Sequence, residues 1–474
     1  MLTEQELISM QLKYDARERS TEFIIRDLIS KHDTEGIKKG VKYYHNESDI
    51  KDRKIYYYDA DGNKVLDREA TNHRIPYNWH KLLVDQKVSY LLGNPAVINA
   101  DPDRYQELIN EYLDEEWDDR LQEIGKNSSN KGAEYLHPYV DEEGNFKYII
   151  IPREQSVPVY DTDYQEEITY FLRYYPVVVN GKERIRAEWW DSESVTYYIQ
   201  SGGLFEMEEP EEGRSNPEYH FYLNNQGMGW GKPPFVEFRN NEEMYSDLKY
   251  YKEIADIYDL VNSDLANDLT DIQKFIYVLK GYGGESLREF MQNLRYYRAI
   301  EVDPEQGAGV DTVGIDPPVN AIDSFLDRQE ENIFLFGQGV NIKTDRFGQS
   351  PSGVALKFLF HLLDLKADIM ARKFSAAIKE FIRFLTIYMQ AKGEGSFDPS
   401  QVSVVFNKSM LMNTLEQTQI AQASQGIISQ ETIMSNHPWV EDVDKEKEKM
   451  DEEREEAIQY QIDNFPMDEE EEEE

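Results

Sequence analysis

Seventeen residues, GQGVNIKTDRFGQSPSG (337–353), hold the two cations whose spacing most invites a chemical reading, Lys343 and Arg346. Four glycines, Gly337, Gly339, Gly348 and Gly353, flank them in a gap between two helix-patterned apolar segments. A glycine-hinged cationic loop can cradle a nucleotide phosphate, gate a site, or touch something that slides past. A cradle needs Gly-Lys followed by Ser or Thr, opening a helix after a strand. The Gly-Lys pairs at 125, 181 and 231 continue with Asn, Glu and Pro, and this loop follows a helix. The nucleotide reading falls away.

Little else in the chain reads as reactive. Asp161-Thr162-Asp163 has the form of a metal-binding pair, but it sits at a strand turn in an acid-rich chain and reads as a surface turn. No GxSxG elbow is present. The eight histidines form neither HxH nor HExxH, and His73 and His80, seven apart, share a face only if both are helical. Absence of cysteine excludes disulfides and thiolate metal sites and fits a reducing compartment. No enzyme, cofactor or metal is expected. The start, MLTEQELISM, lacks a basic region and an apolar run, so no signal peptide is expected. No run of eighteen apolar residues suggests a membrane span.

The elements that must position the loop are legible from periodicity. Thr3 and Glu6 make a capping box ahead of a helix to about Ser30. Residues 55–67 read as a hairpin turning at Asp61-Gly62. Asn78 opens a helix that Gly93 and Pro95 end, with Trp79, Leu82, Leu83 and Val88 on its apolar side. One acidic helix is expected over about 104–126. From Tyr135 to Phe238 short strands alternate with turns such as Asn180-Gly181. Met244, Leu248, Tyr251, Ala255, Tyr258, Val261, Leu265 and Leu269 then predict one long helix over 242–270 with a narrow seam. A narrow seam suits packing against copies of itself or one partner helix. Residues 275–284 read as a strand and turn, a short amphipathic helix follows, and a second long helix is expected over about 319–336. Ser350-Pro351 then starts a helix running to about Lys392, whose apolar face includes Phe358, Leu362, Leu365, Ile369 and Phe374. A polar stripe of Lys357, His361, Asp364, Asp368, Arg372, Lys379 and Arg383 runs beside that face. QVSVVFN (401–407) reads as a strand, with helices over 414–434 and 439–460 after it.

Formal net charge is −41 over 474 residues, which argues against simple binding of nucleic acid by charge. The charge is uneven. Residues 441–474 hold 18 acids and 4 bases, whereas 343–383 carry a net +4 and 274–298 a net +3. Two basic islands stand in an acidic protein.

RIPYNWHKLLVDQKVSYLLGNP (74–95) and FGQGVNIKTDRFGQSPSGVALKFLF (336–360) carry a further signal. With the two long helices bracketing a small basic module, they resemble the portal proteins of tailed double-stranded-DNA phages. The nearest likeness is the family typical of long-tailed phages of Gram-positive bacteria. The resemblance covers about residues 20–435 and is weaker across 130–240. It implies an α+β, mainly helical portal fold: wing 1–240, stem helix 241–270, clip 271–302, stem 303–336, tunnel loop 337–351 and tunnel helix 352–392. A wing strand 393–410, a helical crown 411–460 and an acidic tail 461–474 complete it.

The implied function is a ring of commonly twelve subunits at one capsid vertex, through which DNA is packaged and later ejected. Implied DNA contacts are Asn341, Lys343, Arg346 and Gln349 in the loop, and Lys357, His361, Arg372, Lys379 and Arg383 on the helix. Lys280, Arg288, Arg295 and Arg298 would dock the terminase large subunit. A head-completion protein and the major capsid and scaffolding proteins are further implied partners, with no membrane. Location would be the virion, after assembly in host cytoplasm. The competing reading, an acidic scaffold or chaperone-type protein, explains residues 441–474 but not the cation-bearing helix.

Overall fold

The computed structural model describes residues 2–14, 20–113, 115–163, 167–210, 214–271, 276–280, 309–313, 318–341, 353–409, 421–435 and 443–464, with 418, 437 and 440. Residues 1–341 with 362–409 form one compact unit, and 342–361 with 410–474 form another.

The capping box forms, with the Glu6 amide on Thr3 Oγ1 and the Thr3 amide on Glu6 Oε2. The helix expected to run to Ser30 is instead two, α1 (Glu4–Tyr14) and α2 (Ser20–Lys31). Both lie on a twisted sheet of strands at 156–160, 168–179, 182–190, 194–201 and 204–207, which are antiparallel in sequence order. Asn180 (φ 52°) and Gly181 (φ 72°) turn its longest hairpin in the left-handed region that a two-residue turn requires. Successive side chains face opposite sides of a strand. Leu172 therefore joins Ile25, Leu28 and Phe205 under the two helices, while Phe171 stacks on Phe235 on the other face.

Four further helices, α3 (Thr34–Tyr44), α4 (Trp79–Leu92), α5 (Asp103–Tyr112) and α6 (Glu115–Lys131), lie in the N-terminal part. The single acidic helix expected over 104–126 is thus two helices, the first ending at Tyr112. In α4 the Asn78 side chain caps the first turn, as expected, but Leu82 points to solvent.

The seam expected over 242–270 is shorter than its spacing suggests. Met244 has φ 53°, Asp247–Tyr250 form a 3-10 turn, and α7 begins only at Lys252, ending at Asp271. Tyr251, just before it, and Ala255 and Tyr258 in its first half pack against Leu83, Ile333 and Phe334. The last two lie on α8 (Val319–Gly337), close to its expected bounds. Between α7 and α8 the strands Ile276–Lys280 and Gly309–Val313 pair antiparallel.

From Asp259 onward α7 also buries polar groups. Asp259, Ser263 and Asn267 accept the backbone amides of Tyr77, Ile75 and His73 at 2.9, 3.0 and 2.6 Å. The match is geometric. Four helical residues advance about 6 Å and two extended residues about 6.7 Å, so every fourth helix position meets every second amide. The extended segment is thereby held along α7.

A 40-residue helix, α9 (Gly353–Lys392), spans ~60 Å. Its second half is buried on most sides, apart from the strip that holds Lys379 and Arg383: Phe374 meets Phe238, Phe381 meets Trp117 and Tyr148, Phe384 meets Trp230, and Tyr388 meets Phe146. A helix that is apolar on most sides belongs inside a core. After it, Val402–Phe406 pairs with Ala96–Ala100. In the other unit, α10 (Gln430–Ser435) and α11 (Val443–Asn464) are joined by Lys447 and Glu431.

Replacing Ser263 with Ala removes the acceptor of a part-buried amide, so stability should fall by about 1–3 kcal/mol. Urea unfolding of the parent and Ser263→Ala chains would measure it.

Candidate nucleic-acid interface

Helical spacing puts positions 357, 361, 364, 368, 372, 379 and 383 within roughly 100° of one another around α9. Lys357, His361, Arg372 and Lys379 are exposed and Arg383 is half-exposed, lying 3.8 Å from Glu380. The two acids of the stripe are engaged: Lys408 bonds both Asp364 and Asp368, and Tyr90 donates to Asp364. The stripe, with Lys408 beside it, therefore carries net positive charge where the net sequence is acidic.

The apolar row beside it differs from expectation. Phe358, Leu365 and Ile369, read as part of one apolar face with the buried Phe374, are 77%, 45% and 49% exposed. Positions 358, 365 and 369 recur at seven and four residues, so they form one unburied row.

Of the implied loop contacts, only Asn341 lies among the described residues, half-buried at the exit of α8. Lys343, Arg346 and Gln349 lie outside them, as do Arg288, Arg295 and Arg298; Lys280 ends the strand 276–280.

The start of the loop is firmly built. Gln338 (φ 54°) closes α8 in the left-handed conformation, and the Gly339 amide returns to Phe334 O at 2.9 Å, a Schellman-type end. Gly337 and Gly339 are not hinges. A Cβ on either would meet Leu83 Cδ atoms at 2.6 and 2.2 Å, so both serve close packing against α4. Gln86 donates to Val340 O at 2.9 Å and accepts Val340 N–H at 3.0 Å. Lys366 of α9 donates to Gly337 O at 2.9 Å.

Lys366 is itself held from below. It lies 3.0 Å from Asp247 Oδ2, and Lys87 of α4 donates to the same oxygen at 2.7 Å. Asn240 donates to the other oxygen and accepts from Lys87. Burial pushes the Lys87 ammonium down to about 8, against the pull of Asp247. Burial alone would raise Asp247, but Lys366 and Lys87 overcome it and hold the carboxyl well below the usual range. His80, bonded to Tyr251, is pushed down to about 4 by burial and stays neutral.

Sequence reasoning missed Lys87, Asp247, Lys366 and Gln86. The available signal was placement: Lys87 falls in register with Val84 and Leu91, and Lys366 with Leu363 and Met370, each a charge on an otherwise apolar buried face.

Residues 27–460 match the family described as phage portal protein, SPP1 Gp6-like. The chain belongs to that family. It is 38% identical over 442 residues to the portal protein of Bacillus phage SPP1, covering 92% of this chain and 87% of that one. With the portal protein of Clostridium phage phiCD119 it shares 31% identity over 421 residues, covering 85% and 89%. A chain in the virion of a native gene transfer agent particle aligns over 75% of this chain and 88% of its own, with 12% identity and a TM-score of 0.42. The protein is thus a phage portal protein of α+β fold and a structural component of the virion.

Lys87 binds its extra proton more weakly in the folded chain than in the unfolded one. Between pH 8 and 10.5 the unfolded chain holds more protons, so the Lys87 contribution to stability rises with pH there. Denaturant unfolding should show the parent gaining on Lys87→Met as pH rises from about 8 to about 10.

Proposed function

We propose that this portal protein assembles as a ring of twelve copies around a channel for double-stranded DNA. Terminase drives the duplex inward, and the same channel later releases it toward the tail. The observation that carries this reading is the pairing on α9 of an exposed cationic stripe with an unburied apolar row. Phe358, Leu365 and Ile369 supply area for a neighbouring copy, and the stripe beside them would face the duplex.

The charge balance fits sliding. Twelve copies at −41 give about −490, which repels DNA from the bulk of the wall. Lys343, Arg346, Gln349 and Asn341, with the cations of α9, then supply weak phosphate contacts without base readout. The basic residues Lys280, Arg288, Arg295 and Arg298 offer a docking surface for the terminase large subunit and later for a head-completion protein. Capsid and scaffolding proteins meet the wing. No ATP turnover is assigned to this chain, since the motor that supplies the energy is the terminase.

Negatively stained particles of the purified parent should be rings with an axial hole. Leu365→Asp with Ile369→Asp should leave folded monomers and few rings, because charge in an apolar contact costs several kcal/mol per interface. Rings as abundant as the parent's would assign that row elsewhere.

Replacing Lys343 and Arg346 together with Ala should leave ring assembly intact. Each exposed contact contributes only about 0–1 kcal/mol, but contacts add around a ring. Packaging yield or DNA retention should therefore drop in the double variant, change little in the single ones, and not depend on DNA sequence. Parental packaging by the double variant would remove the sliding contact.

A further inference from the structure

The beginning of the loop carries more machinery than a helix end needs. An α-helix leaves its last carbonyls without partners, and a short turn normally satisfies them. Here the turn is present, through Gln338 and Gly339, and yet a buried ammonium is committed to Gly337 O as well. Lys366 also belongs to a cluster with two lysines and one aspartate, almost wholly removed from solvent. Such clusters are costly to bury, and an apolar filling of equal volume is often at least as stable. Directionality is what an apolar filling lacks.

We propose that Lys366 and Gln86 are positioning residues that clamp 337–340, so that the chain leaves α8 at one fixed place and in one direction. Asp247 and Lys87 orient Lys366. Four separate segments converge on this stretch. Lys366 comes from α9, Gln86 and Lys87 from α4, Asp247 from the 3-10 turn before α7, and Asn240 from the end of strand 236–239. Gln86 uses both its donor and its acceptor on Val340, as a neighbouring strand would, and Val340 is buried. Gly339 lies so close to Leu83 that no other residue fits without movement. Along the stretch the ties alternate in origin: Gly337 O goes to α9, Gly339 N–H to α8, and both polar groups of Val340 to α4. The positive end of Lys366 also meets the negative end of the α8 dipole, which favours this orientation of the helix over others.

The consequence for DNA rests on the proposed reading of 337–351 as the DNA-facing loop; the clamp itself does not. The two are separable by amide hydrogen exchange and packaging assays on assembled parent and variant rings. Lys366→Met keeps length and leaves Lys87 and Asp247 as a balanced pair. Lys366 bonds no amide of the stretch, so faster exchange at Gly339 and Val340 would report lost position rather than a lost bond. We expect about a tenfold acceleration there, with less than about a twofold change across Phe374–Met389. Lys366→Gln, which keeps a donor, should restore part of the protection. Should Lys366→Met not fold, Gln86→Met decides, read at the Gly339 amide, which Gln86 does not touch. Unchanged exchange at Gly339, or acceleration spread equally through α9, overturns the clamp. Local acceleration with parental packaging supports the clamp and instead removes the DNA-facing reading of the loop.

Discussion

One helix has to serve as core along part of its length and as surface along the rest, and most of this structure follows from that constraint. From Phe374 to Met389 most side chains of α9, those of the cationic strip excepted, are buried by aromatic residues from α5, α6 and the strands around 133–151 and 236–239. A helix wrapped in this way cannot rotate or slide without opening many contacts at once. Its earlier residues inherit that rigidity. Lys366 and Arg372 are therefore held in register by packing further along the same helix, and Lys379 and Arg383 by packing on the opposite side of their own turns.

Heptad-like apolar spacing sustained over forty residues suits a helix and no strand, which is why α9 was visible in the sequence. That spacing did not separate the buried half from the exposed one. Leu365 and Ile369 are as apolar as Ile378 and Leu385, and periodicity reports that a face is apolar without saying what covers it. A face reserved for another copy of the chain looks, in one sequence, like a face reserved for the chain's own core. The same limit accounts for the overextended seam before α7. Met244 and Leu248 keep helical spacing, but Met244 stands at φ 53°, which ends any helix there.

Polar structure was legible only in part. Capping residues such as Thr3, Glu6 and Asn78 announced themselves because their partners are three residues away. The amide-to-helix ladder on Asp259, Ser263 and Asn267 involves partners about 190 residues distant, and nothing local marks it. The segment it holds, 72–77, overlaps the motif at 74–95 that carried the family resemblance. The motif's first residues thus have a physical reason to be extended, since each amide must meet its acceptor on α7. Glycines misled in a related way. Gly337 and Gly339 signalled hinges by type, whereas their setting against Leu83 shows that a missing side chain was needed.

Charge obeys the same rule of placement. A chain of net charge −41 that leaves cations exposed along one helix face while engaging that face's two acids with Lys408 has sorted its charge by position rather than by amount. Uniform acidity would repel a duplex everywhere, and uniform basicity would hold it fast. Sorting works only if the cations stay where they are placed. Lysine and arginine side chains are long and lose entropy when held, so their placement depends on the backbone beneath them. Here that backbone is a helix anchored by its own buried half and joined to the end of α8 through Lys366. If the proposed channel holds a duplex, rigid positioning and weak binding are compatible, because the energy that fixes the cations comes from the core and none of it would have to come from the DNA.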